Sequence, residues 1–232
     1  YDGYHRWQKG NLARELFRTT LTTGLAMTEA QLQIARKVLK LPDLQGHFAD
    51  AWNSTQPDYR RLLREALSMK LSDPTERKLA LDLSEHPQLR SMSVSISHSP
   101  LLGGFLVSAK SHIGLDIEQQ QRVSTAVVKR ICTPSELTES PNHSYLWSAK
   151  EAAYKALVAP IQPPITSDVH ICSWKKLEYD ICDIWQFSFF TQPATQNQLS
   201  KNLGLGLLFD SFPHFFSICK NTSQLWSSSS DI

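Results

Sequence analysis

The chain of 232 residues carries 24 Lys and Arg against 22 Asp and Glu, which gives a formal net charge of +2. This length predicts one large domain or two small ones, with enough core to fold without disulfides or a structural metal. No apolar run approaches the roughly 18 residues of a membrane span, and the first residues lack the pattern of a signal peptide. The near-neutral charge argues against a protein that coats DNA, so we expect neither nucleic acid nor membrane as a partner.

The cysteines are dispersed along the chain, without a Cys-x-x-Cys pair or a histidine at the spacing of a zinc site: Cys132, Cys172, Cys182 and Cys219. This usage is typical of reduced thiols in a cytoplasmic protein, which is the localisation we expect. The sequence opens with Tyr1 rather than Met, which is consistent with a missing N-terminal piece.

Residues 9–86 predict a helix-rich first half. Apolar residues recur there at helical spacing, as at Leu32, Ala35 and Leu39. Three helix starts carry a capping residue or an early proline: Thr28 with Gln31, Thr55 or Gln56 before Pro57, and Asp73 with Pro74 and Glu76. No strand is visible before residue 91.

The pattern changes at residue 91, where serine and apolar residues begin to alternate as in a half-buried strand. Two more strands are predicted over 101–109 and 112–118, joined by a hairpin-like connection at Lys110 and Ser111. Helices then begin at Thr133 and Ser144, and four more strands are predicted, at 169–178, 184–191, 203–209 and 214–219. Helices followed by strands, twice over, predict an α+β protein with an N-terminal half at 1–110 and a C-terminal half at 111–232.

Two acidic residues lie on one face of the predicted strand 112–118. Residues two apart in a strand share a face, so Asp116 and Glu118 point the same way, while the alternate residues pack behind them: Ile113, Leu115 and Ile117. Each carboxylate raises the cost of ionising the other, so we expect an opposite charge nearby. Taken alone, the segment would be interpreted as a solvated edge strand with ordinary surface acids.

The predicted helix 144–157 carries a matching set of polar residues. Trp147, Glu151 and Lys155 follow one another at intervals of four and therefore form one stripe. Lys150 lies about 100° round the helix from Glu151, close enough to reach a neighbouring phosphate. Taken alone, this would be a surface helix with one Glu–Lys pair and with Trp147 packed beneath it.

Together the two segments supply three carboxylates and two lysines. Carboxylate oxygens without His or Cys suit Mg²⁺, which shares its coordination shell with water and substrate phosphates. Lysines bind phosphates as point charges. The combination predicts a hard-cation site beside a bound anion, formed by Asp116, Glu118, Glu151, Lys150 and Lys155.

Three ordered motifs resemble those of a known family. Residues 114–118 (Gly-Leu-Asp-Ile-Glu) and 147–155 (Trp-Ser-Ala-Lys-Glu-Ala-Ala-Tyr-Lys) resemble the paired signature of 4′-phosphopantetheinyl transferases. Upstream, residues 96–99 (Ile-Ser-His-Ser) resemble the family's histidine motif. The resemblance implies the 4′-phosphopantetheinyl transferase fold of the Sfp type, a monomer built as a pseudo-dimer of two similar α+β halves.

The resemblance also implies an activity, that of a holo-[acyl-carrier-protein] synthase. Such an enzyme moves the 4′-phosphopantetheine arm of coenzyme A to a serine of an apo acyl or peptidyl carrier protein and releases adenosine 3′,5′-bisphosphate. It implies Mg²⁺ bound by Asp116, Glu118 and Glu151. The implied catalytic residues are Asp116, Glu151 as the base for the carrier serine, and Lys155 as the group that stabilises charge on the leaving phosphate.

Contacts to coenzyme A are implied for Lys150 and Lys155 at the pyrophosphate and for Ser97 and His98 at the 3′-phosphate. An imidazole can donate a hydrogen bond to phosphate in either charge state, although a lone histidine between serines is more often a polar strand-end residue. Basic residues near the N-terminus either touch the nucleotide or form a solvated helix face: Arg6, Lys9, Arg14 and Arg18.

Two other functions are consistent with the sequence. A catalytically weak or silent coenzyme A-binding protein would regulate a carrier-protein pathway through the same site. A Mg²⁺-dependent nucleotide hydrolase would need a phosphate-cradling glycine-rich loop, and Gly103 and Gly104 lack the Lys-Ser/Thr that should follow.

Overall fold

The computed structural model describes residues 26–84, 86–158, 161–191 and 203–222. Its helices are α1 (Glu29–Leu39), α2 (Tyr59–Ser68), α3 (Pro74–Leu81), α4 (Thr125–Ile131), α5 (Pro134–Glu139) and α6 (His143–Ala156). Its strands are β1 (Gln45–Ala49), β2 (Ser93–His98), β3 (Gly103–Ser108), β4 (Ile113–Gln119), β5 (Val169–Leu177), β6 (Asp183–Thr191), β7 (Gly204–Ser211) and β8 (His214–Asn221). Short 3-10 helices lie at Asp50–Trp52 and Thr166–Asp168.

The strands form two antiparallel sheets, which confirms the α+β class. The first sheet has the strand order β1-β3-β2, and the second has the order β4-β8-β7-β6-β5. The chain passes from one sheet to the other between β3 and β4. The hairpin predicted at Lys110 and Ser111 is therefore wrong, because β4 pairs with β8 in the second sheet and not with β3.

A row of serine side chains joins the two sheets. The hydroxyl oxygens of Ser93, Ser95 and Ser97 on β2 accept hydrogen bonds of 3.2, 2.8 and 3.0 Å from three backbone N–H groups of β4, those of Ile113, Leu115 and Ile117. Because β4 is the edge strand of the second sheet, these N–H groups pair with no described strand on that side. The serines that alternate along β2 therefore satisfy the exposed edge of the neighbouring sheet. We call this row of contacts the serine seam.

Two of the three predicted N-terminal helix starts are confirmed. Thr28 and Gln31 form a reciprocal capping box at α1, and the Asp73 side chain accepts a hydrogen bond from the first turn of α3. The start predicted at residues 55–57 is wrong, because those residues form a turn and α2 begins only at Tyr59.

The first half also contains a strand that the sequence pattern did not reveal. β1 pairs with β3 along its whole length, although only Ala49 of its five residues is buried. The expectation of no strand before residue 91 is therefore wrong. The strand was missed because β1 lacks the apolar alternation that is typical of a half-buried strand. The basic residues predicted near the N-terminus lie in 1–25, outside the described residues.

Three apolar clusters position the elements. α1 packs on one face of the second sheet with Leu207 and Ile218, and α6 packs on the opposite face with the adjacent residues Leu208 and Cys219. α2 and α3 cover the first sheet around Phe105. Within the described parts of the chain, no helix is both long and apolar enough to cross a membrane.

Candidate active site

β4 lies directly against α6, as the predicted common site requires. The two backbones approach each other at Gly114, where an added Cβ would lie 1.8 Å from the carbonyl oxygen of Ala152. Only glycine tolerates so close a contact. Asp116 and Glu118 follow Gly114 on this face of the strand, while the alternate residues pack in the core with α1: Ile113, Leu115 and Ile117. The predicted facing of strand and helix is confirmed.

Asp116 is the centre of the arrangement and is only 7% exposed. Its Oδ1 accepts hydrogen bonds from Lys155 Nζ at 3.0 Å and from the Ser97 hydroxyl at 3.3 Å. Lys155 also donates to the backbone carbonyl of Leu115 at 3.1 Å. The second oxygen, Oδ2, is buried and accepts no hydrogen bond from any described residue. A buried carboxylate oxygen without a partner is unfavourable, so the geometry favours a ligand at this atom.

The two glutamates share the electrostatic environment of Asp116. Burial raises the pKa of Glu151, and the negative charge of Asp116 raises it further, while Lys155 opposes the change. Burial likewise raises the pKa of Glu118, and the Asp116 charge again adds to the effect. Both glutamates are therefore held at higher pKa than free carboxyls, which suits groups that accept a proton or a cation.

The three carboxylates do not converge on one point. Among the described residues, no three His, Cys, Asp or Glu side chains are placed to hold a metal ion. Lys155 binds one oxygen of Asp116, while Glu118 accepts a hydrogen bond from the N–H of Gln119 and lies 3.9 Å from Arg122. The donor chemistry and the unpartnered Asp116 Oδ2 fit Mg²⁺. The three-carboxylate ligand set stays a prediction.

Lys150 is bound elsewhere and is fully buried. Its Nζ lies 2.8 Å from the Glu136 carboxylate and donates a hydrogen bond to the carbonyl of Val169. The same carboxylate accepts the backbone N–H of Ile171 at 2.9 Å. The predicted contact of Lys150 with a substrate pyrophosphate is therefore wrong, because its charge is already paired inside the protein. Lys150 ties α6 to α5 and β5 instead.

Ser97 approaches Asp116 from the first sheet. Its buried oxygen accepts the N–H of Ile117 as the last member of the serine seam, and its hydroxyl donates to Asp116. Lys155 Nζ lies 3.5 Å from the same oxygen. Ser97 thus contacts both members of the Asp116–Lys155 pair. The predicted phosphate contact of Ser97 stays a prediction.

His98 follows Ser97 at the end of β2 and is exposed. Its Nε2 lies 3.3 Å from the Tyr59 hydroxyl, and the two rings meet edge to face with their centroids 4.7 Å apart. Partial burial of the ring lowers the pKa of His98, and the positive charges of Lys155 and Arg60 lower it further. His98 therefore lies in the same electropositive region as Lys155 and is neutral near pH 7.

Sequence reasoning missed Tyr59 and Arg60, which open α2 beside His98. Tyr59 precedes His98 by 39 positions, so no local spacing connects them. The sequence pattern also predicts the start of this helix at residues 55–57, before Tyr59, and does not indicate which face of the helix Tyr59 and Arg60 occupy. Identifying them would have required knowing that α2 packs beside the histidine motif in the folded chain.

A comparison with protein families agrees with the position of the site. Residues 112–200 match the model of the 4′-phosphopantetheinyl transferase superfamily. This segment contains β4 and α6, with Asp116 and Lys155, and covers less than half of the chain. No curated protein sequence matches the chain significantly. The match supports a transferase domain of this superfamily in the second half of the chain.

Proposed function

We propose that the chain transfers the 4′-phosphopantetheine arm of coenzyme A to a serine of an apo acyl or peptidyl carrier protein. The observation that carries this proposal is the contact of Lys155 with Asp116 inside the segment that matches the superfamily. It sets a cation beside a carboxylate that still has an unpartnered oxygen. Such a pair suits a pyrophosphate substrate, because the lysine binds phosphate oxygens and the carboxylate binds the metal that accompanies them.

The proposed reaction forms one phosphorus–oxygen bond and breaks another. The hydroxyl oxygen of the carrier serine attacks the phosphorus next to the pantetheine arm, and the bond from that phosphorus to the bridging pyrophosphate oxygen breaks. The nucleotide leaves as adenosine 3′,5′-bisphosphate. Glu151 accepts the serine proton, directly or through a water, and its raised pKa makes it a stronger base than a free carboxylate. Lys155 stabilises the negative charge on the leaving phosphate.

Mg²⁺ would be held by Asp116, Glu118 and Glu151. When bound, it would neutralise part of the pyrophosphate charge. Lys155 already neutralises Oδ1 of Asp116, which leaves Oδ2 as the oxygen available to a cation. His98 would donate a hydrogen bond to the 3′-phosphate of coenzyme A from the first sheet.

We further propose the Sfp-type organisation, with residues 1–110 and 111–232 as the two halves of a pseudo-dimeric monomer in the cytoplasm. The support is that the strands divide at residues 108–113 and that His98 and Asp116 lie on opposite sides of the serine seam. A substrate that contacts both residues would bridge the two halves.

Mass spectrometry of apo carrier proteins tests the activity. A panel of apo acyl and peptidyl carrier proteins is incubated with the protein, coenzyme A and Mg²⁺, and we expect a mass gain equal to the phosphopantetheine arm on at least one carrier. Lys155→Met should abolish the gain. Lys176→Met is the matched control, because Lys176 forms an exposed ion pair with Asp183 away from β4 and should transfer at the wild-type rate.

The same carrier panel, together with a binding measurement, distinguishes the transferase from a silent coenzyme A-binding regulator. Coenzyme A binding measured by calorimetry, without a mass gain on any carrier in the panel, would favour the regulator and contradict the transferase. A mass gain that persists in Lys155→Met would contradict the site.

A further inference from the structure

The first two residues of α2 form a relay to His98. Arg60 Nε donates a hydrogen bond of 3.0 Å to the Tyr59 oxygen, and that hydroxyl lies 3.3 Å from Nε2 of His98. The Arg60 guanidinium also lies over the Tyr59 ring, 5.7 Å from its centroid. Three side chains from two different elements are thereby held in one chain of contacts.

The direction of the first hydrogen bond follows from its donor, and the direction of the second depends on the tautomer of His98. Arginine has no acceptor, so Arg60 must donate to the Tyr59 oxygen. The phenol has one hydrogen, and its contact with Nε2 of His98 is a hydrogen bond from the phenol when that hydrogen is directed to the ring nitrogen. A ring nitrogen that accepts carries no proton, and a neutral imidazole has only one N–H. In this arrangement the ring proton of His98 is on Nδ1.

The edge-to-face contact fixes the ring as well as its proton. The Tyr59 and His98 rings meet at an interplanar angle of 72°, an arrangement that aromatic pairs prefer. His98 lies at the end of an edge strand of the first sheet. The helix thus restrains a side chain that the strand alone leaves exposed.

We propose that Tyr59, held by Arg60, is a positioning residue that fixes the Nδ1–H tautomer and the ring orientation of His98 for contact with a nucleotide phosphate. The inference rests on the proposed function, because it assigns the phosphate to coenzyme A. Neither Tyr59 nor Arg60 needs to touch the substrate. Their effect is to present a single N–H donor in one orientation, which lowers the entropy cost of binding.

Nitrogen NMR of the histidine side chains tests the tautomer directly. In the ¹⁵N-labelled wild-type protein near pH 7, with His98 assigned by comparison with His98→Gln, we expect protonated Nδ1 and unprotonated Nε2. Tyr59→Phe keeps the ring and removes the hydroxyl, so the ring should revert toward the Nε2–H tautomer that neutral histidine prefers in water. Arg60→Gln, at an exposed position, should shift the tautomer in the same direction. Arg61→Gln, the neighbouring arginine that pairs with Glu65, should leave it unchanged.

Binding supplies the second readout. Tyr59→Phe should weaken coenzyme A binding by up to about tenfold, the usual effect of one neutral hydrogen bond, because His98 is no longer held in one orientation. It should also raise KM more than it lowers kcat. A wild-type protein with the Nε2–H tautomer, or a Tyr59→Phe variant with unchanged tautomer and affinity, would overturn the inference. A wild-type protein that shows the Nδ1–H tautomer but modifies no carrier would overturn the proposed function and leave the assigned tautomer standing.

Discussion

Lys155 on α6 and Asp116 on β4 form a hydrogen-bonded ion pair of 3.0 Å across the helix–sheet interface. The pair is asymmetric, because the lysine side chain is 28% exposed while that of the aspartate is 10% exposed. The lysine is therefore the member of the pair that is more accessible to an anionic ligand. The same lysine stabilises the aspartate before binding and is placed to contact a phosphate after it.

Ser97 and Ser95 form a matched pair for mutation. Both hydroxyls accept a β4 N–H, but only Ser97 also contacts Asp116. Ser97→Ala and Ser95→Ala should each lower the free energy of unfolding by about 1–3 kcal/mol, because each leaves a buried N–H unpaired. Only Ser97→Ala should also lower kcat for arm transfer. Denaturant unfolding and steady-state kinetics measure the two effects, and an equal loss of kcat in both variants would refute a specific link from Ser97 to Asp116.

The two lysines of α6 should behave differently on removal of the charge. Lys150→Met leaves the Glu136 carboxylate buried without its partner, so it should cost about 3–5 kcal/mol of unfolding free energy. Lys155→Met removes a partly exposed group and should lose transfer with a much smaller change in stability. Thermal unfolding and turnover distinguish the variants. A folded and stable Lys150→Met protein with impaired coenzyme A binding would restore the phosphate role that the structure rejects.

Acid should weaken the fold through Glu136. Burial opposes ionisation of this carboxyl, but the nearby His170 ring and hydrogen bonds from Lys150 and two backbone N–H groups lower its pKa from 4.5 to about 2. A lowered folded-state pKa stabilises the protein above pH 4.5, and this stabilisation is lost as pH falls toward 2. We expect the difference in unfolding free energy between wild type and Glu136→Gln to be largest near neutral pH and to shrink over this interval. A difference that does not change with pH would contradict the assignment.

Ionisation of Glu151 should destabilise the fold, in contrast to ionisation of Glu136. Burial and the Asp116 charge raise its pKa above 4.5, so its ionised form is less favourable in the folded than in the unfolded protein. The cost is absent well below pH 4.5 and grows as pH rises through the raised pKa. In the presence of a chelator, Glu151→Gln should therefore be more stable than wild type at pH 7 and equal to it at low pH, while losing transfer. Unfolding curves at several pH values test this, and a destabilised variant at pH 7 would contradict it.

The sequence predicted the parts of the fold that local patterns specify. The capping box of Thr28 and the alternation along β2 and β4 are properties of neighbouring residues, and the structure confirms them. β1 was missed because its pairing with β3 is specified by tertiary contact and not by its own apolar pattern.

The site, like the fold, was predictable where residue spacing within one helix or strand specifies it. Helical spacing identified Glu151 and Lys155 as one stripe, and strand spacing put Asp116 and Glu118 on one face. The role predicted for Lys150 was wrong because its partner, Glu136, lies on a separate helix. Residue spacing along α6 gives no information about the position of that helix. The serine seam and the contact of Tyr59 with His98 also depend on elements that meet only in the folded chain.

The central claim is that Asp116 anchors the site of a Mg²⁺-dependent phosphopantetheine transfer. The most direct measurement is the rate of arm transfer to an apo carrier protein as a function of Mg²⁺ concentration, for wild type, Asp116→Asn and the control Asp183→Asn. Asp183 forms an exposed ion pair with Lys176, so its variant should follow the wild-type curve. Asp116→Asn keeps the size of the side chain but loses its charge, and we expect no transfer at any Mg²⁺ concentration while the protein stays folded. Wild-type rates with an unchanged Mg²⁺ dependence in Asp116→Asn would contradict the account.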